Sequence, residues 1–512
     1  MTKSWFLQLP SELILACLES LPFDDLDSCL KCGNRRLADI IHGSVFIQYR
    51  HEQKRAGVEE TPLASNLAVA DRLGYLKDRE ANWLSFAPRS THTLPIHFET
   101  TGLYDLTSDI YFVGDTADPT SRTCTRIKYI CTTPGPESWH TIDVGKPILD
   151  FGTALEEHDL IAIITCTPHN DNPRMASVDV SLFKLSTGVP HPLAAHPTLH
   201  VHDVEVARGR PGLSIEIVGS TLALSMIYWQ FGLRDMDVLY LYDWITGIAK
   251  TDSLPVFSTG LVFVTEDILV VPNPIDETLD VLHILQDAEA RFLHSFHLPE
   301  LAPLNSIFTF QCRRSPNPRV SMLRPSSATF LPLPSDTILL FSLHVGNQDG
   351  SSDQFFVVHL DRFSAVINLD SDREDLDVEW AEWGPQCTRW LATAELSTHY
   401  ITTTAGQRMV TIPHDAPQHP APIRILDFNS ATIEAQRARG AVDGPHAAVR
   451  VVETSTQSLA AFAELIVSEV PYVEITSKQH FDYGAVLIND ANVIGARFGD
   501  RTVASLEVLH FG

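Results

Sequence analysis

The chain has 512 residues, 44% of them apolar, and a formal net charge of −27. The apolar share can bury a sizeable core, the length allows two or three domains or one large repeat domain with appendages, and an acidic body lacks the Lys/Arg clusters that a nucleic-acid backbone requires. No apolar run approaches the roughly 20 residues needed to cross a bilayer, and eight scattered cysteines with no Asn-x-Ser/Thr site point to a reducing compartment, cytoplasmic or nuclear.

The first elements are helical. Leu13, Ile14, Cys17, Leu18 and Leu21 recur at helical spacing after Pro10-Ser11, and Pro22 ends that helix. A second helix fits Asp24 to Cys32, with Leu26, Cys29 and Leu30 on one face. Gly33-Asn34 punctuates, and a third runs from about Arg35 to His42 with Leu37, Ile40 and Ile41. Gln8, Pro10, Ser11 and Glu12 interrupt the apolar start too early for a secretory signal. Residues 1–56 carry seven basic and seven acidic side chains, so the acidic excess lies wholly in the remainder, 30 against 57. Three short helices cannot hide this many apolar side chains in a core of their own, which predicts an exposed apolar strip.

The ordered set Leu9-Pro10-x-Glu12-Leu13-Ile14, Leu18, Leu21, Asp25-Leu26 and Arg35-Arg36-Leu37 resembles the F-box. That module docks onto the Skp-type adaptor of cullin–RING ubiquitin ligases. The resemblance covers Leu7 to Ser44 and implies adaptor contacts at Leu9, Pro10, Glu12, Leu13, Ile14, Leu18, Leu21, Leu26, Leu30 and Leu37.

His51 to Thr61 is polar and reads as a helix tail followed by a loop. Leu67 to Phe86 is helical again, with Leu73, Leu76 and Trp83 on one side, and Pro88 and Pro95 mark its boundary. This stretch is similar to the connector that follows the F-box in a large group of fungal (basidiomycete-type) F-box proteins.

Beyond residue 96 the periodicity changes to short β-rich runs between Pro, Gly, Asn and Asp clusters. They recur in pairs. Apolar runs start at Asp159, Ser220, Glu266 and Asp336, spaced 61, 46 and 70 residues apart. Each is followed by an alternating run, ending at Gly188, Gly247, Asp287 and Phe363. A later pair spans His399–Pro413 and Ile423–Asn429. The rhythm predicts a degenerate β-propeller of seven or eight blades, without the Trp-Asp signature of WD repeats. A two-sheet sandwich pair or an irregular β structure fits the same runs. The ending Pro471 to Gly512 is similar to that of the same fungal group, and its last run, Leu506 to Phe511, is placed to pair with an early strand and close the ring.

Catalytic motifs are missing: no Gly-x-Ser-x-Gly, Walker loop or His-Glu-x-x-His. Cys29-x-x-Cys32 has no second pair and reads as core. His191, His196, His200 and His202 lie in a proline-rich loop with no geometry-fixing partners. Asp370 to Glu382 carries seven acids, with Trp380 and Trp383 beside them, and reads first as a solvated loop and second as a patch for a basic peptide.

The expected architecture is therefore α+β and multidomain: a three-helix F-box module (1–50), a helical connector (51–95) and a large all-β, propeller-like domain (96–512). The expected role is a non-catalytic substrate receptor that binds the Skp-type adaptor and, through the β domain, an unidentified protein substrate. No cofactor, metal, nucleic acid or membrane is involved. An F-box scaffold without a part in degradation, or an enzyme using the propeller's central face, are the rival readings.

Overall fold

Capping chemistry sets the N-terminal helices. In the computed structural model, which describes residues 6–116, 123–133, 135, 138–228, 237–285, 290–319, 328–348, 350–367, 376–392, 402–413, 420–499 and 502–512, α1 (Ser11–Glu19) and α2 (Phe23–Lys31) each follow a proline. Proline suits a helix start because the lost N–H has no intrahelical partner there. The Asn34 side chain caps α3 (Arg35–Gly43) at Leu37 N, and the Ser44 hydroxyl caps α4 (Val45–Ala56) at Ile47 N. Ile14, Leu18, Leu26, Leu37, Ile41 and Ile47 form the buried core of this module, and no described residue beyond Ile47 belongs to it. Arg36 holds the carbonyls of Leu7 and Leu9, fixing the entry to α1. Arg50, on α4, donates to the carbonyls of Glu19 and Leu21 at 2.8 and 3.1 Å.

The boundary expected at residue 50 falls inside α4. Ile47 faces the first core, whereas Tyr49 packs in a second one with Val58, Leu73, Leu76 and Phe330. The expected helix tail at His51 is the second half of α4. Gly57, at φ +65°, ends that helix in the left-handed region that glycine adopts without penalty, and a Cβ there would stand 2.9 Å from an Asp336 carboxylate oxygen. Instead of a loop, Val58–Glu60 then pairs with Phe330–Pro332, some 270 positions later. The connector helix α5 (Val69–Ser85) buries Leu73, Leu76 and Trp83 as its spacing predicts.

The β region comprises, among the described residues, seven sheets of four to six strands, with two further two-stranded ribbons. Blade one is Thr100–Thr107, Ile110–Asp115, Arg126–Cys131 and His140–Asp143, each antiparallel to the next. Five similar sheets follow, between Ile148 and Phe481. Blade seven is Ala485–Ile488, Asn492–Phe498 and Val503–His510, completed by Ser90–Pro95 from the other end of the chain. The β domain therefore begins at residue 90, not 96, and the C-terminal run does pair with an early strand. The sheet order supports a β-propeller-like fold, in which pairing the first and last strands of the β domain removes an exposed edge.

Short helices interrupt the blades: α6 (Leu155–His158), α7 (Leu360–Val366), α8 (Trp380–Cys387) and α9 (Ser430–Arg439). The run expected to alternate to Phe363 leaves its strand at His359, because Leu360 and Phe363 share one buried helical face. Trp380 and Trp383 are core, stacked edge-on at 5.3 Å among Phe296, Phe363 and Trp390, so the patch reading of that run loses its aromatic lining. Its acidic start, 370–375, and positions 399–401 of the later pair lie outside the described residues.

Removing residues 505–512 should leave Ser90–Pro95 unpaired and Trp83 without Phe511. Phe511→Ala alone should cost roughly 3–5 kcal/mol. Both variants are expected to melt several degrees lower in calorimetry, the truncation with aggregation. Unchanged melting of the truncated chain would show that the C-terminal strand does not hold the ring.

Candidate functional site

Groups beyond those that merely fill a core gather at several places among the described residues. The first is the outer face of the N-terminal module. Of the ten residues expected at an adaptor contact, Ile14, Leu18, Leu26 and Leu37 are enclosed in the module's own core. They cannot touch a partner while the module stays folded. The reason is geometric: three helices need an inward stripe first, and these four supply it. Pro10, Glu12 and Leu13 are exposed, and Leu9, Leu21 and Leu30 are half-buried. Leu13 is 53% exposed, with Ala16 and Cys17 exposed at the positions three and four further along α1. Val45 and Phe46 at the start of α4 are also exposed large apolar residues. The surviving surface therefore combines apolar side chains with a carboxylate.

The second place is the seam where the α4–α5 cap meets the propeller. The first strand of blade five ends in Arg313-Arg314, and the following segment, Ser315–Arg319, borders a cavity of about 200 Å³ lined by the first strands of blades one, two, three and five. Thr107 and Thr153 join blades one and two through their hydroxyls at 3.0 Å. Arg313 binds Asp105 at 2.5 Å, and Asn317 donates to Glu216. Arg319 joins Glu156 at 2.7 Å and also Glu59, so it ties the strand after α4 to blade two. Burial pushes Asp150 and Glu216 up to about 7. Each of Asp105, Glu156 and Glu216 has an arginine or amide partner. These pairings hold the Ser315–Arg319 segment against blades two and three.

Beside this cavity, α5 presents Arg79 and Glu80. Arg79 bonds Glu80 at 2.6 Å and donates to the Asp490 carbonyl at 2.7 Å. Arg408 of blade six joins Glu80 and sits 3.0 Å from Asp427. Trp83 stacks on Phe511 at 4.2 Å between ring centres, and the Arg408 guanidinium lies 5.0 Å from the Trp83 ring centre. This network escaped the sequence reading. Its signal was available: Arg79 lies three positions after Leu76 and four before Trp83, on the stripe that α5 buries.

The other sequence candidates separate. His191 is buried, bonds the His158 carbonyl at 2.9 Å and meets the Trp244 ring edge-on. His200 bonds Asp179 at 3.1 Å, and His196 is exposed. Cys29 is half-buried and Cys32 exposed. Among the described residues, no group of three or more His, Cys, Asp or Glu is placed to hold a metal ion. No described helix is long and apolar enough to cross a membrane.

No family model matches the chain, and no curated protein matches it in sequence. Solved structures align with it over most of its length at low identity. The WD40 domain of SCAP from fission yeast is 8% identical, with 83% of this chain and 95% of that one covered and a TM-score of 0.34. The β-propeller domain of the trilobed protease from Pyrococcus furiosus is 9% identical, covering 75% and 95%, with a TM-score of 0.31. The WD40 propeller domain of Doa1 is 11% identical, covering 76% and 96%, with a TM-score of 0.28. The blade assignment rests on the sheet order, not on these likenesses.

Asp336 lies against the turn at Gly57, and burial, with Asp361 and Asp427 nearby, pushes its carboxyl up to about 6. In the unfolded chain it titrates near 4. The folded state thus binds the extra proton, and its stability falls as pH rises from about 4 through 6. Asp336→Asn removes that loss. It is expected to be more stable than the natural chain at pH 8, on the order of 1–3 kcal/mol, with no gain at pH 4, as measured by urea unfolding at both values.

Proposed function

We propose that the chain is a substrate receptor of a Skp–cullin–F-box type ubiquitin ligase. The N-terminal module docks on the Skp-type adaptor, and the propeller-like body holds a protein substrate. The observation that carries this reading is the self-contained core of the module, closed at Ile47, which leaves an apolar face on α1 outside it. A helical hairpin serving only its own β domain would turn Leu13 inward. The motif from Leu9 to Leu37 supports the choice of partner. The revised contact set is Leu9, Pro10, Glu12, Leu13, Leu21 and Leu30, with Ile14, Leu18, Leu26 and Leu37 maintaining the surface from behind.

In this role the chain does no bond chemistry. It raises the local concentration of a substrate lysine near a loaded ubiquitin thioester, a proximity effect that depends on a fixed span between the two binding sites. The helix α4, shared by both cores, supplies such a span. The reading places the protein in the cytoplasm or nucleus.

The test is a pull-down with purified Skp-type adaptor. The full chain should bind, and a chain lacking residues 1–43, which keeps α4, should fold without binding. Leu13→Ser should weaken binding roughly tenfold or more and leave the melting temperature unchanged. Ile14→Ala should instead destabilise the module by about 2–5 kcal/mol. Equal binding by the truncated chain would overturn the reading. Adaptor binding without ubiquitylation of any bound partner would favour the scaffold role.

A further inference from the structure

A second cavity, sharing no lining residue with the one bordered by Ser315–Arg319, lies in a groove between α5 and α9. Its volume is about 510 Å³, within the range of sites that enclose a ligand or an anchoring side chain. It exists because the facing positions are small: Ala56 on α4, Ala81 on α5, Ala435 on α9 and Ala447 on blade six all line it. Leu84, Val442 and Val449 add larger apolar surface, and Val442 is 41% exposed. An apolar side chain entering here would shed water against carbon on several sides.

The charges around the groove are unequal in their engagement. Glu80 and Asp427, at its floor, are both bound by Arg408. Glu52 has Arg55 at 3.6 Å. Lys77 and Arg439 also line the groove, both exposed, and neither has an ion pair among the described residues. Two unmatched cations thus flank an apolar slot, on a chain whose net charge is −27. Away from this rim, the acidic body repels acidic partners.

We propose that this groove is the recognition site for a short segment of a partner protein in which a large apolar residue is flanked by Asp or Glu. The apolar residue fills the space over Ala81 and Ala435, and the carboxylates pair with Lys77 and Arg439. A basic segment is disfavoured, because it would face both cations and find the local carboxylates already bound. The proposal deepens the receptor reading by placing the substrate contact. It depends on peptide binding, whereas that reading depends on adaptor binding through α1, so either can fail without the other.

The experiment is selection of a random peptide library displayed on phage against the full chain. Two variants serve as counter-targets: Lys77→Glu with Arg439→Glu, which inverts the rim, and Ala435→Trp, which fills the slot. Both sets of changes lie on the surface or in open space, and circular dichroism and melting check that each variant folds. Selected peptides should be enriched in Asp and Glu next to Leu, Ile, Phe or Trp. As fluorescein-labelled synthetic peptides they should bind each variant at least tenfold more weakly than the natural chain, with affinity falling as salt rises. No enrichment, enrichment of basic peptides, or equal binding to the natural chain and both variants would overturn the proposal. So would binding of dodecanoate in the groove, lost in Ala435→Trp, with no peptide selected, since the site would then take a small amphiphile.

Discussion

The stack of Trp83 on Phe511 joins the end of α5 to the last strand of blade seven, and most of the architecture depends on it. Trp83 stands at the end of α5, just before the strand Ser90–Pro95. Phe511 follows the strand Val503–His510, with which Ser90–Pro95 pairs. The same contact therefore closes blade seven and seats the connector helix on the propeller. Phe86 meets Phe511 edge-on at 5.5 Å and extends the contact into the blade six core. A chain that closes its ring in this way gains cap and closure together. Neither half is in place until residues more than 400 positions apart have met, and such long-range contacts are slow to form.

Around that stack, Arg79, Glu80, Arg408 and Asp427 bring four charges into a buried seam. Desolvation of such groups offsets much of their attraction, so the network adds little net stability over an apolar seam. Its effect is geometric. Arg408 pairs Glu80 of α5 and Asp427 of blade six simultaneously. Arg319 does the same for Glu59 and Glu156. An apolar seam tolerates sliding, because carbon meets carbon in many registers. Two arginines that each clamp carboxylates from different elements accept one.

Much of this order was legible in the sequence. Prolines and caps gave the first three helices within a residue or two, and the stripe Leu73, Leu76, Trp83 gave α5. Paired apolar and alternating runs gave the blade rhythm, and Leu506 to Phe511 gave the closing strand. What stayed hidden is non-local or ambiguous in kind. The pairing of Val58–Glu60 with Phe330–Pro332 has no local signature, since three residues carry no period. Trp380 and Trp383 follow an acidic run and read as surface until α8 turns both inward. In the module, an apolar stripe does not tell whether its burial is internal or against a partner. Ile14 and Leu13 are adjacent and equally apolar, yet one is fully enclosed and the other 53% exposed. Only the packing of α1 against α3 separates them.

That separation also shapes how the proposed role would work. A recruiting module must be stable before it meets its partner, or part of the binding energy is spent on ordering it. Here the module brings a core of its own, held by Arg36 at one end of α1 and Arg50 at the other. The helix α4 then carries the geometry onward. Its 12 residues span about 18 Å at 1.5 Å per residue, with Ile47 locked in one core and Tyr49 in the next. A single helix anchored in two cores cannot hinge between them without breaking its own hydrogen bonds. On the receptor reading, the angle between adaptor and substrate is therefore set within the fold itself, by α4, the arginine clamps and the Trp83–Phe511 stack.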